Sequence, residues 1–150
     1  MHRLSNEALR IFVYDFLLET GRPPTLADIS RRFDVPEERA RDTMRSLRAG
    51  KTLLAHPDTG EVWMAGPFAG EPTPYRVTGP RVAWFANCAW DMLGIPVVAG
   101  ESVDIEAECG DCGEPIRLHV DTHSGPEADA DALVHILVPA RQWYDDIGYT

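Results

Sequence analysis

Cys88 and Asp91 stand three residues apart in the stretch Trp84-Phe85-Ala86-Asn87-Cys88-Ala89-Trp90-Asp91-Met92-Leu93. On a helix, residues at this spacing are neighbours, with about 5–6 Å between their Cβ atoms. A carboxyl beside a thiol among apolar and aromatic side chains is costly unless it has a partner or a task. Thiolate is the preferred protein ligand of soft metal ions. A neighbouring carboxylate can take the thiol proton and then deliver it, acting as base and then as acid. The plainer alternative is that Cys88 is a small buried hydrophobe and Asp91 an internal hydrogen-bond acceptor.

The other thiols form Cys109-Gly110-Asp111-Cys112-Gly113, a C-x-x-C sequence. Alone it is half of a zinc ribbon, and no second C-x-x-C follows. His119 and His123 could complete a set of four ligands, but His119 alternates with the apolar residues Leu118 and Val120. Metal ligation by Cys109 and Cys112 therefore stands beside a tight glycine-rich turn with two reduced thiols or a local disulfide. Three cysteines are an odd count, which argues against a secreted disulfide framework. His56, His119, His123 and His135 show no partners in the sequence and are assigned no role, and Trp84 and Trp90 read as core.

The elements that must position these groups fall into two units. Ser5 can cap a helix with Leu9, Phe12, Val13, Phe16 and Leu17 at helical spacing, closed by Gly21 and Pro23-Pro24. Thr25 caps a second helix over Leu26–Phe33. A third opens at Pro36 with Glu37 and Glu38 in its first turn and runs to about residue 49. Residues 52–55 and 61–64 flank His56-Pro57-Asp58-Thr59-Gly60 as a hairpin. Helix, helix, turn, helix and a two-stranded wing resemble a winged helix-turn-helix unit.

Residues 66–80 are rich in turn formers and read as a linker. Residues 81–93 read as a helix stopped by Gly94 and Pro96, carrying Trp84, Cys88 and Asp91 on one stripe. Val103, Ile105 and Ala107 alternate with acids, and beyond the C-x-x-C turn Ile116, Leu118 and Val120 alternate again with polar residues, so both runs predict strands. Residues 126–131 read as a polar loop, 133–138 as a buried strand and 141–147 as a final short helix. The expected class is α+β: an N-terminal winged-helix-like unit (residues 1–65) and a linker (66–80). A small mixed or antiparallel sheet domain (81–150) follows and carries the active-site helix.

Charge narrows the function classes. Of the net charge of −10, residues 1–65 contribute nothing, with ten basic and ten acidic side chains. The third helix carries Arg39, Arg41, Arg45 and Arg48, but also Glu37, Glu38 and Asp42, so a solvated face with internal ion pairs is expected. A DNA-binding regulator needs the opposite overall sign, and DNA is not expected as a partner. No run of about 20 apolar residues and no leader-like segment is present, so a cytoplasmic protein with no membrane association is expected.

The string Cys88-Ala-Trp-Asp91-x-Leu-Gly-Ile-Pro96, with Pro74-Tyr75-Arg76-Val77 before it, resembles the active-site region of organomercurial (alkylmercury) lyases. A weaker likeness extends around Cys109 to Leu118. The resemblance implies cleavage of R–Hg(II) by protonolysis, with Cys88 as mercury ligand and Asp91 as proton shuttle. It implies an organomercurial small molecule as substrate and mercury(II) as product ion, with no resident cofactor required. A mercuric reductase accepting Hg(II) is the implied partner. It also matches Cys109 to a position the family uses structurally, Cys112 being extra. The family has a second cysteine near the C-terminus, in a segment similar to Gln142-Trp143-Tyr144-Asp145-Asp146-Ile147-Gly148-Tyr149-Thr150. This sequence has none there, so slow or absent turnover, leaving a mercury-binding protein, is also expected.

Overall fold

A computed structural model describes residues 3–47, 51, 53–127 and 132–148. Helix α1 (Asn6–Thr20) begins where the Ser5 hydroxyl accepts the Ala8 N–H at 3.2 Å. It buries Leu9, Val13 and Leu17, spaced by four residues on one face. Gly21 ends it in the left-handed region (φ 76°), with its N–H on the Leu17 carbonyl at 2.9 Å. Helix α2 (Leu26–Phe33) has a reciprocal cap. The Thr25 hydroxyl accepts the Asp28 N–H and the Asp28 carboxylate accepts the Thr25 N–H. That amide, chiefly, holds the Asp28 carboxyl below the ordinary carboxylate range.

Helix α3 (Glu37–Leu47) buries Ala40, Thr43 and Met44. Strand β1 (Leu53–Ala55) pairs antiparallel with β2 (Val62–Ala65) as the expected hairpin, and β3 (Phe68–Ala69) adds a third strand. The Glu61 carboxylate accepts the Leu26 N–H at 2.8 Å, tying this hairpin to the N-terminus of α2 where a negative charge is favoured. Arg48 of the expected third-helix stripe lies outside the described residues.

A second sheet follows, with strand order β5-β4-β6-β7-β8 and every pairing antiparallel. Its strands are β4 (Arg76–Thr78), β5 (Ala83–Phe85), β6 (Val103–Glu108), β7 (Pro115–Asp121) and β8 (Gly125–Glu127). Along β6 burial alternates with the sequence, Val103, Ile105 and Ala107 facing in and the acids out. Helix α4 (Ala89–Ala99) leaves β5 and packs back on β4, β6 and β7. The architecture is α+β. The buried apolar residues form one continuous cluster, from Leu9 of α1 through Phe68 and Trp84 to Val120 of β7. Among the described residues, no helix is long and apolar enough to cross a membrane.

The helix expected over 81–93 is instead a strand and a later helix. Residues 83–85 pair with β4, whose other edge pairs with β6, so a sheet position decides a segment whose apolar spacing suited either state. The helix starts only at Ala89 and continues through Gly94 and Pro96 to Gly100, which closes it at φ 66°. The segment 133–138 joins no sheet, and Leu133 is 92 % exposed and Leu137 65 %. An apolar run alone does not separate a buried strand from a segment laid over a cavity. Of the expected final helix only a 3₁₀ turn, Ala140–Gln142, and further turns form. Residues 128–131 of the expected loop lie outside the described set.

The junction of α1 with β5 yields a test. A Cβ at Gly21 would lie 2.5 Å from the Ala83 carbonyl oxygen, whereas one at Gly100, also in the left-handed region, meets nothing within 4 Å. Gly100→Ala is expected to cost about 1 kcal/mol, the left-handed penalty alone. Gly21→Ala should cost at least roughly twice that, because helix and strand must also separate. Urea midpoints of the two variants decide the order.

Candidate active site

Four backbone and side-chain bonds fix the chain just before Cys88. Ala86 donates its N–H to the Tyr75 carbonyl at 2.9 Å, and its own carbonyl accepts the Thr73 hydroxyl at 2.7 Å. The Tyr75 N–H in turn donates to that hydroxyl at 3.2 Å, and the Asn87 N–H donates to the Pro67 carbonyl at 3.2 Å. Cys88 follows in extended conformation (φ −153°, ψ 178°) and is the N-cap of α4. Its sulfur accepts the Asp91 N–H at 3.4 Å. Cys88 and Asp91 thus occupy the cap and third positions of a helix start, where Ser and Glu commonly stand.

The pair expected on one helix stripe is therefore brought together by a cap. Trp84 is not on that stripe: it is buried in β5, 2 % exposed, with its indole Nε1–H on the Leu17 carbonyl at 2.8 Å. Trp90, read from the sequence as core, is 58 % exposed. Its position on the second residue of a helix capped at Cys88 turns it to the open side.

Cys88 and Asp91 open into a cavity of about 580 Å³, within the size range of small-molecule sites. Trp63 and Met64 of β2, Tyr75, and Trp90 line it, together with the chain over 134–148. That C-terminal stretch is held by the Tyr144 hydroxyl donating to the Lys51 carbonyl at 2.6 Å and by the Trp143 indole donating to the Val138 carbonyl at 2.6 Å. The Lys51 ammonium sits 4.5 Å from the Tyr144 ring centre. Three of the four tryptophans, Trp63, Trp90 and Trp143, face this space.

Burial pushes the Cys88 thiol above its ordinary pKa, and the Asp91 charge adds to this against the opposing Asp91 amide. Burial likewise raises the Asp91 carboxyl, opposed by hydrogen bonds from the Asn87 side chain and the Cys88 thiol. The thiol is thus held protonated near neutrality, and the carboxylate is a stronger base than an exposed aspartate. Asn87 is a site residue that sequence reasoning did not single out. Its amide oxygen is buried with no hydrogen-bond partner among the described residues. His135 also lines the cavity, and its place in an apolar run gave no signal of this.

Among the described residues, no second cysteine lines the cavity. Cys109 and Cys112 lie instead at the β6–β7 turn, both reduced, Cys109 half-buried and Cys112 exposed. His119 pairs across the strands with Asp104, Nδ1 to Oδ1 at 2.8 Å, and that carboxylate raises its pKa. No group of three or more His, Cys, Asp or Glu side chains suited to a metal ion occurs among the described residues.

A family model described as MerB, alkylmercury lyase, matches residues 68–150. Alkylmercury lyases of Bacillus cereus and Clostridium butyricum are each 32 % identical to this chain over 124 residues, 82 % of it and 55 % of each relative. The chain spans about half the length of the curated relatives it matches. A solved structure titled the mercury-bound form of MerB2 superimposes with a TM-score of 0.60 at 19 % identity. It covers 78 % of this chain and 56 % of that one, a likeness of fold.

Removing the Asn87 amide tests the electrostatics of the pair. Asn87→Ala deletes a hydrogen bond that favours the ionised Asp91, so the Asp91 pKa should rise further. A carboxyl-labelled NMR titration should show the Asp91 midpoint moving upward, while the Asp28 midpoint stays in place.

Proposed function

The chain belongs to the alkylmercury lyase family, and from that premise we propose that it binds R–Hg(II) through Cys88 and cleaves the carbon–mercury bond by protonolysis at Asp91. The observation that carries this reading is the shared helix cap, which sets a protonated thiol and a basic carboxylate at one wall of one cavity.

The steps follow from those two protonation states. R–Hg⁺ replaces the proton on the Cys88 sulfur, and the Asp91 carboxylate takes that proton. A second thiolate then adds to the mercury and increases electron density on the bound carbon. Asp91 returns the proton to this carbon as the carbon–mercury bond breaks, its electron pair forming the new C–H bond. The products are a hydrocarbon and Hg(II) held between Cys88 and the second thiolate. The aromatic and apolar lining suits the organic group and keeps competing water from the carbon.

Among the described residues no second protein thiol lines the cavity, and a small-molecule thiol from solution can fill the second position on the mercury. Where it does, turnover depends on that thiol's concentration. Thiol chemistry of this kind needs a reducing compartment, in keeping with the three free cysteines. The Hg(II) product requires a thiol-bearing acceptor, the role a mercuric reductase would fill. We read α1 to α3 and the β1–β2 hairpin as a winged-helix-like scaffold for the site. Acids at Glu37, Glu38 and Asp42 of α3 disfavour a phosphate-binding role.

Phenylmercury separates the two roles. Cys88→Ser should keep the helix cap, since serine is a good N-cap, yet lose stoichiometric phenylmercury binding against a modest excess of competing thiol. Asp91→Asn should retain binding and lose benzene release by roughly 10²–10⁴-fold, the usual worth of general acid–base catalysis. Benzene release by Asp91→Asn at the parent rate assigns the proton to another donor. Phenylmercury binding unchanged in Cys88→Ser moves the mercury ligand elsewhere.

A further inference from the structure

The mechanism leaves Cys109 and Cys112 unused, yet both sit where a soft cation could reach them. They bracket the tip of the β6–β7 hairpin. The turn is closed by Cys109 donating its N–H to the Glu114 carbonyl at 2.8 Å and accepting the Gly113 N–H at 2.9 Å. Gly113 takes φ 73°, and a Cβ there would meet nothing within 4 Å, so glycine serves the left-handed backbone and not a packing need. The amides of Cys112 and Asp111 are directed at the Cys109 sulfur and hold this thiol below its ordinary pKa.

Packing does not account for this pair. Cysteine in proteins is mostly a small buried hydrophobe, whereas Cys112 is exposed and Cys109 half-buried. Zinc does not account for it either. A structural zinc site needs four ligands, and no third His, Cys, Asp or Glu joins these two among the described residues. A two-coordinate, strongly thiophilic ion is satisfied by two sulfurs alone.

The register adds a spatial argument. Arg76 of β4 pairs with Phe85 on one side and with Glu106 on the other. Cys88 and Cys109 each lie three residues beyond that shared row, on chains that leave the same end of the sheet. With strands about 4.8 Å apart, β5 and β6 are separated by about 10 Å at this row.

We propose that Cys109 and Cys112 form a bis-thiolate clamp for inorganic Hg(II), a second mercury site beside the end of the sheet that carries Cys88. This rests on the reading that the Cys88 site yields Hg(II). The ion arrives already bound by two thiolates, whether Cys88 and a small thiol or two small thiols. Each departing thiolate takes one proton, from Cys109 or from Cys112, as the two loop sulfurs bind the metal. No oxidation or reduction occurs, and two thiol protons are exchanged for two thiolate ligands.

The test uses the full, reduced chain with mercuric chloride in millimolar excess of a monothiol, reading protein-bound mercury after gel filtration. Cys88→Ser should keep one Hg(II) per chain. Adding either Cys109→Ser or Cys112→Ser to Cys88→Ser should weaken retention by roughly 10²-fold or more, because one thiol loses the chelate advantage. Both changes lie on an exposed turn, and an unaltered urea midpoint shows that folding is intact. Loss of all mercury from Cys88→Ser overturns the clamp, as does undiminished retention in either loop variant. Phenylmercury binding to the parent and to Cys88→Ser, measured alongside, reports on the Cys88 reading separately. The loop thiols are removed for that comparison by Cys109→Ser and Cys112→Ser, and phenylmercury binding that then survives Cys88→Ser makes the reading fail even where the clamp holds.

Discussion

The Leu17 carbonyl joins the two halves of this molecule. One of its lone pairs accepts the Gly21 N–H that ends α1, and the other accepts the buried indole N–H of Trp84 from β5. Each donor would be costly to bury unpaired, and here a single acceptor serves both. The ring of Trp84 then packs 6.0 Å from that of Phe68, and Phe68 lies 6.3 Å from Tyr14 of α1. The strand that delivers Cys88 is in this way fixed to the end of the first helix. Gly21, far from Cys88 in sequence, becomes part of the apparatus that sets its position.

From β5 onward, position turns into chemistry through a helix cap. A hydroxyl in the place of Cys88 would satisfy the helix amides better, since sulfur is the weaker acceptor. The chain accepts a weaker cap and burial of a carboxyl at the third position. The local cost is offset by the sheet on one side and the continuous core beneath. Burial that disfavours charge on both groups is also what readies a proton to move between them.

Much of the scaffold was legible in the sequence because its signals are local. Ser5, Gly21, Thr25 and Asp28 announce the ends of α1 and α2 by the bonds they alone can make. The alternation in β6 and β7 is a two-residue pattern that no helix shares. Residues 81–93 were misread because the pairing of β5 with β4 comes from distant chain. An aromatic and alanine-rich stretch with apolar residues at mixed spacings fits either state. The 133–138 run failed for a related reason: apolar side chains record that something must be covered, but not whether a sheet or a cavity does the covering. At the site itself, Cys88 and Asp91 stood out by type and spacing. Asn87 and His135 did not, because their importance lies in which way the fold turns them, a property without a short-range signature.

The tryptophans around the cavity carry an optical consequence. Trp84 is sealed in the core, whereas Trp63, Trp90 and Trp143 surround the space into which Cys88 opens. A heavy atom near an indole promotes intersystem crossing and shortens the lifetime of its excited singlet. Any mercury species seated on Cys88 would therefore darken three emitters and leave the fourth, in its apolar setting, shining at the blue edge. The chain carries within its own wall a spectroscopic record of whether the site is occupied.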